Sequence, residues 1–257
     1  MPLAKRIIPS LLHHGTVLIK GQRFDGWRSV GHVQQAARIH AARGVDELLI
    51  LDIGASKEHR GPNIDLIRQL TDNNFIPVTV GGGITCVEEV KAVLNAGADK
   101  VAIGTGLRDL DEMKLISERY GKQALVAVVD VNARGRPVVW PDFEAAVWDF
   151  TMKQPATKMG VVEFAVQCAT FAGEIVLTAV DREGTMLGYD LDLIRLVTEA
   201  VDIPVIAHGG CSGYEDMLNA IKAGASAVAA GALFQFTDST PRGAALYLAE
   251  HGIEVRL

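Results

Sequence analysis

Short apolar runs recur along the whole chain. They are RIIPSLL, ELLILDI, IPVTVGGG, KVAIGTG, ALVAVVDV, EIVLTAVD, IPVIAHGG and AVAAGALF, each rich in Val, Ile, Leu and Ala. Continuous apolar runs of strand length suit strands buried on both faces of a parallel sheet. Between them lie VGHVQQAARIHAARG, EEVKAVLNAGA and YEDMLNAIKAGA, whose apolar residues fall at i, i+3 and i+4, the stripe of an amphipathic helix. Eight strands alternating with helices predict an α/β fold, a single (β/α)8 TIM barrel spanning 1–257. An open doubly wound sheet is the alternative, but Gly81-Gly82-Gly83 lacks the GxGxxG pattern of a dinucleotide site.

An internal repeat strengthens the barrel reading. Ile76-Pro77-Val78 recurs 127 residues later as Ile203-Pro204-Val205 (from 76 to 203). At the same offset Gly82-Gly83 meets Gly209-Gly210, Ala96-Gly97-Ala98 meets Ala223-Gly224-Ala225, Gly104 meets Gly231, and Glu47 meets Glu174. The chain reads as two duplicated half-barrels, about 1–125 and 126–257. The longest break in the rhythm is 131–160. Within it RPVVW reads as a small hairpin and the remainder as a helix, either a substrate cover or a surface insertion.

Composition narrows the function. The 257 residues are 49% hydrophobic and 22% charged, which excludes a disordered chain. The net charge of −6 excludes nucleic acid as main partner. No run of about 18 apolar residues is available for a membrane span, and the apolar stretch before Pro9 is too short for a signal peptide. Cys86, Cys168 and Cys211 are scattered and lack CxxC spacing, so reduced thiols in a cytoplasmic protein are expected, with no metal site.

The candidate chemistry lies where strands end. Gly82-Gly83 and Gly209-Gly210 each close a strand just before a helix, and the following strands close on Gly104-Thr105 and Ala230-Gly231. Glycine lets backbone N–H groups approach an anion beside a helix N-terminus. Two such loops, half a barrel apart, would hold two phosphates; the alternative is that the glycines only make tight turns. Gly184 in DREGT is placed in the second site. Among the strand-end carboxylates Asp52, Asp130 and Asp181, Asp130 follows the buried run ALVAVV and is the candidate general acid or base. Asp181 is a candidate for substrate binding. His208, beside Gly209, either touches a phosphate or acts as a base, or is an ordinary surface or turn histidine, the commoner outcome. At the opposite end Arg6, Glu47, Lys100 and Glu174 sit at strand starts, where they either face solvent or ring the barrel bottom as a salt-bridge layer.

The motifs LAKRIIP, VDELLILDIGAS, VTVGGGI, GADKVAIGT, GEIVLTAVDREGT, PVIAHGG and AVAAGALF resemble the cyclase subunits of imidazole glycerol phosphate synthase over nearly the full length. The resemblance implies a lyase-type enzyme without cofactor. It also implies a glutaminase partner docked on the barrel bottom, and ammonia passing a charged gate into the bore to meet a bisphosphate ribulosyl substrate. By position the gate falls on Arg6, Glu47, Lys100 and Glu174, and Asp99 beside it would touch the partner. Of the family's two catalytic aspartates the second matches Asp130, while the first falls on Leu12. A family Asn stands as Gly104, and a family Ser as His208. Cyclisation needs an acid and a base on one substrate, and only one is kept at the family positions. This pattern resembles a side branch found in bacterial surface-polysaccharide (lipopolysaccharide) pathways, beside a glutaminase-like protein and a sugar amidotransferase. Three readings follow. The first is an ammonia-conducting barrel of a glutamine amidotransferase system with altered cyclase chemistry. The second is a true synthase subunit of histidine biosynthesis with a relocated acid. The third is a phosphosugar isomerase of the sister half-barrel family, which would have no use for a conduit.

Overall fold

The computed structural model describes residues 4–72, 75–104, 107, 109–132, 148–149, 154–155 and 160–257. The strands in chain order are β1 (Arg6–His14), β2 (Val17–Gln22), β3 (Asp25–His32), β4 (Leu48–Asp52), β5 (Val78–Gly81), β6 (Lys100–Ile103), β7 (Leu125–Val131), β8 (Trp148–Asp149), β9 (Gln154–Pro155), β10 (Glu174–Ala179), β11 (Val205–His208) and β12 (Ala227–Ala230). The helices are α1 (Val33–Ala42), α2 (Ile64–Thr71), α3 (Val87–Asn95), α4 (Leu110–Tyr120), α5 (Val161–Ala169), α6 (Leu191–Thr198), α7 (Tyr214–Lys222), α8 (Ala232–Phe236) and α9 (Pro241–Glu250). The eight apolar runs of the sequence are the eight parallel strands β1, β4, β5, β6, β7, β10, β11 and β12, in that order around a barrel that closes where β12 pairs with β1. The (β/α)8 barrel is therefore the fold.

The sequence reading missed the hairpin β2–β3. β1 runs on to His14 and pairs antiparallel with β2 through His13–Leu18 and His14–Val17. The turn between them uses Gly15 at φ +56°. The hairpin escaped because β3 is mostly exposed, so it carries no continuous apolar run. The expected RPVVW hairpin lies outside the described residues; what is described nearby is the short antiparallel pair β8–β9.

Strand side chains alternate between two apolar layers. One set, including Ile7, Leu48, Ile50, Val101, Ile103, Leu125, Ile175 and Leu177, packs under the helices. The alternate set, Ile8, Leu49, Ala102, Val126, Val176, Ile206, Ala227 and Ala229, fills the bore with Leu51 and Val128 packed against it.

The 127-residue offset recurs in hydrogen bonds. Asn63 caps α2 by accepting from Leu66 N, and Asp190 caps α6 by accepting from Leu193 N. Thr71 Oγ1 donates to Ala96 O, and Thr198 Oγ1 to Ala223 O. Glu89 and Asp216 each accept from the backbone four residues earlier, at Thr85 and Ser212.

Candidate functional site

The inward parity that fills the bore also sets its two ends. One step below the apolar layer the inward positions become Arg6, Glu47, Lys100 and Glu174. Arg6 reaches Glu47 at 2.6 Å and Glu174 at 3.1 Å, while Lys100 bridges the same carboxylates at 3.1 and 3.2 Å. Each carboxylate meets both cations, so the ring is closed. Thr79 Oγ1, which the sequence reading did not single out, donates to Glu47 Oε1 at 2.5 Å. The Glu47 side chain is only 3% exposed, and a charge so buried persists only with such partners.

Two acids hold the strand starts that carry this ring. Asp46 Oδ2 accepts from Ile7 N at 2.9 Å, and Asp99 Oδ2 accepts from Val78 N at 2.8 Å. Each stands one residue before a ring member. Pinning it to the neighbouring strand leaves the next side chain, Glu47 or Lys100, to turn inward. Asp99 thus sits beside the ring with one carboxylate oxygen engaged in the fold.

At the strand ends the same parity delivers Leu12, Gly104, Asp130, Thr178 and His208, all of which line one pocket of about 140 Å³. Leu12 faces Asp130 across the mouth, since β1 and β7 lie four strands apart in a ring of eight. Asp130, Thr178 and His208 are register partners on β7, β10 and β11. Burial pushes the Asp130 carboxyl up to about 7, against a hydrogen bond from Thr178 that favours its anion, and the Glu183 charge adds to the rise. Burial also holds the His208 imidazole down at about 4, helped by the Lys20 charge. His208 Nδ1 lies 3.1 Å from Thr178 Oγ1.

The glycine loops flank this pocket. Gly82, Gly83 and Gly104 belong to its wall. Gly184, Gly209, Gly210, Ala230 and Gly231 line a second, smaller hollow, and both hollows share Glu183 and His208. The four paired glycines all hold positive φ, +114° and +69° at Gly82-Gly83 and +91° and +101° at Gly209-Gly210. The loops end β5 and β11, which are diametrically opposed in the strand order. Lys20 stands against Gly231, where any Cβ would strike its Nζ. Burial lowers the Lys20 ammonium to about 8, an effect the Glu183 charge partly offsets.

Not every expected residue joins the site. Thr105 lies outside the described residues. Asp181 lines neither hollow; its carbonyl accepts from Arg23 Nε at 3.2 Å. Asp52 lines the first pocket, but its carboxylate is gripped by the Arg60 fork at 2.8 and 3.0 Å. Conversely, Lys20, Thr178 and Glu183 were not picked out. Thr178 stands four residues after Glu174 and so shares its inward parity, a signal the sequence carried. Lys20 lay in the unrecognised hairpin.

These features define the class: a (β/α)8 barrel whose candidate site lies at the C-terminal ends of its strands, the face where enzymes of this fold act. The model of the histidine biosynthesis protein family matches residues 6–240, and the chain belongs to that family. It is 38% identical to the imidazole glycerol phosphate synthase subunit HisF of Dictyoglomus thermophilum over 259 aligned residues, covering 99% of each chain. Among the described residues no helix is long and apolar enough to cross a membrane.

Proposed function

We propose that this chain is the ammonia-receiving barrel subunit of an enzyme of the imidazole glycerol phosphate synthase type. It binds a phosphorylated small molecule at the strand ends and a glutaminase at the strand starts. One observation carries this reading: a single inward register runs from a closed ion-pair ring through an apolar bore to the Asp130 carboxyl in the strand-end pocket. Neutral ammonia crosses an apolar bore more readily than any ion, and the ring of Arg6, Glu47, Lys100 and Glu174 is the gate it passes. Asp99 belongs to the face the partner covers.

At the other end two phosphates sit in the opposed glycine loops. One is held by Gly82, Gly83 and Gly104, the other by Gly184, Gly209, Gly210, Ala230 and Gly231. Backbone N–H groups and Lys20 supply the positive charge. Asp130, poised near neutrality, gives and takes the proton that ring formation requires. With Leu12 opposite it, the remaining pocket has one proton-transfer carboxylate where two are needed, so cyclisation is slow. The comparisons speak for the synthase class and lend nothing to sugar amidation or to a phosphosugar isomerase.

A second reading has its own observation. Glu183 is buried, its carboxyl is raised by that burial, and it lines the same pocket as Asp130. A relocated acid there would make the chain a full cyclase of histidine biosynthesis. The deciding experiment feeds purified chain with ammonium salt and the bisphosphate ribulosyl substrate. Turnover about 10²–10⁴-fold below that of a relative with both aspartates supports the first reading, this being the usual cost of a lost acid or base. Full turnover that collapses in Glu183→Gln supports the second. No turnover in any variant, with no binding of the substrate, overturns both.

A further inference from the structure

His208 lies in register with Thr178, and Thr178 in register with Asp130, so three inward side chains form one row across β7, β10 and β11. Thr178 stands between the two: its hydroxyl sits 3.1 Å from His208 Nδ1, and the residue is the strand neighbour of Asp130 whose side chain favours the carboxylate form. His208 in turn forms wall of both hollows. A hydroxyl has one proton to give, so the direction of each bond is linked to the next.

We propose that Thr178 and His208 form a proton relay that connects Asp130 with the second phosphate cradle. When Asp130 is ionised, Thr178 donates to it and accepts from His208 Nδ1–H, leaving Nε2 as an acceptor. When Asp130 is protonated, it donates to Thr178, Thr178 donates to Nδ1, and Nε2 carries the proton. Passage from the first state to the second balances as follows. A monoprotonated phosphate ester in the cradle gives its proton to Nε2, and the Nδ1–H bond breaks as its proton moves to Thr178 Oγ. The original Thr178 hydroxyl proton then bonds the Asp130 carboxylate. The imidazole starts and ends neutral, the threonine starts and ends as a hydroxyl, and one proton has moved from phosphate to Asp130.

Other features of the row fit this role. The imidazole is largely buried and kept neutral by that burial, so it shuttles between tautomers rather than gaining charge. Among the described residues the charged groups acting on the row are Lys20 of β2 and Glu183 after β10. They bear opposite signs, and each shifts the other's ionisation. His208 thus supplies from one side the proton exchange that Leu12 does not supply from the other.

The relay rests on the reading that Asp130 is the proton-transfer group, but its test needs no turnover. Chain labelled with 15N-histidine is titrated from pH 5.5 to 8.5, and the His208 signals are assigned with His208→Gln. In the parent the protonated nitrogen is expected to switch from Nε2 to Nδ1 as Asp130 ionises around pH 7, with the ring neutral throughout. Thr178→Ser should keep the switch, whereas Thr178→Val and Asp130→Asn should each lock His208 in one tautomer. A fixed tautomer in the parent, or a switch that survives Thr178→Val, overturns the relay whether or not the chain proves to be a cyclase. Should Thr178→Val fail to fold, Asp130→Asn decides: a His208 tautomer that still switches in it overturns the proposal.

Discussion

Leu12 and Asp130 face each other across the barrel mouth from equivalent strand ends, yet only one can ionise. Leucine sets no charge opposite Asp130, which answers mainly to its own burial. Leu12→Asp is expected to raise ammonium-fed turnover at least tenfold while lowering the melting temperature, because a carboxylate replaces a side chain only 5% exposed. Turnover and thermal unfolding measured on the same preparation check both halves. A second residue contributes to acid stability. His40 is buried beside Phe234, with its Nδ1 unpartnered among the described residues. Burial lowers its imidazole to about 4, with the Arg43 and Lys20 charges adding. The folded state therefore resists a proton that the unfolded chain takes up near 6.5. Stability contributed by the neutral ring is fully present above pH 6.5 and is lost as pH falls from there towards 4. His40→Leu should flatten the fall in melting temperature across that window; an unchanged slope would show that His40 does not drive it.

At the scale of elements, strand identity was legible because strands buried on both faces leave unbroken apolar runs. The β2–β3 hairpin was not, since it is half exposed and its one deeply buried cation, Lys20, reads in sequence as a surface residue. The ring residues were legible as charges at strand starts, and their closure followed from inward parity. Thr79 and Thr178 obey the same parity but are too plain chemically to draw notice. The sequence could also not tell that Asp52 is consumed by Arg60, because that pairing depends on how the loop after β4 folds back. The second cradle yields a prediction of its own kind. A Cβ at Gly231 would meet Lys20 Nζ and come within 2.9 Å of Ser10 O. The lysine end can swing aside but the backbone cannot, so Gly231→Ala should weaken binding of inorganic phosphate about tenfold, roughly 1.4 kcal/mol, in calorimetric titration. Gly213→Ala, where a Cβ meets open space, is the control expected to bind as the parent does.

Across the whole molecule, one register of inward side chains runs between the two ends of the barrel. The ring at the strand starts is costly to bury and has no part in chemistry at the strand ends. Its stability role is measurable: Glu47→Gln leaves two cations with one carboxylate and should cost about 3 kcal/mol in denaturant unfolding. The family match covers both ends of the bore, in keeping with a function that needs both. The measurement that bears most directly on this account compares glutamine-fed with ammonium-fed turnover in the complex of this chain with a glutaminase subunit, for the parent and for Lys100→Glu. Reversing that charge sets three carboxylates against Arg6 and disrupts the ring. The account predicts that glutamine-fed turnover falls at least tenfold while ammonium-fed turnover, supplied from the open mouth, falls by less than half. Equal losses on both feeds, or a glutaminase that does not bind the chain at all, would contradict it.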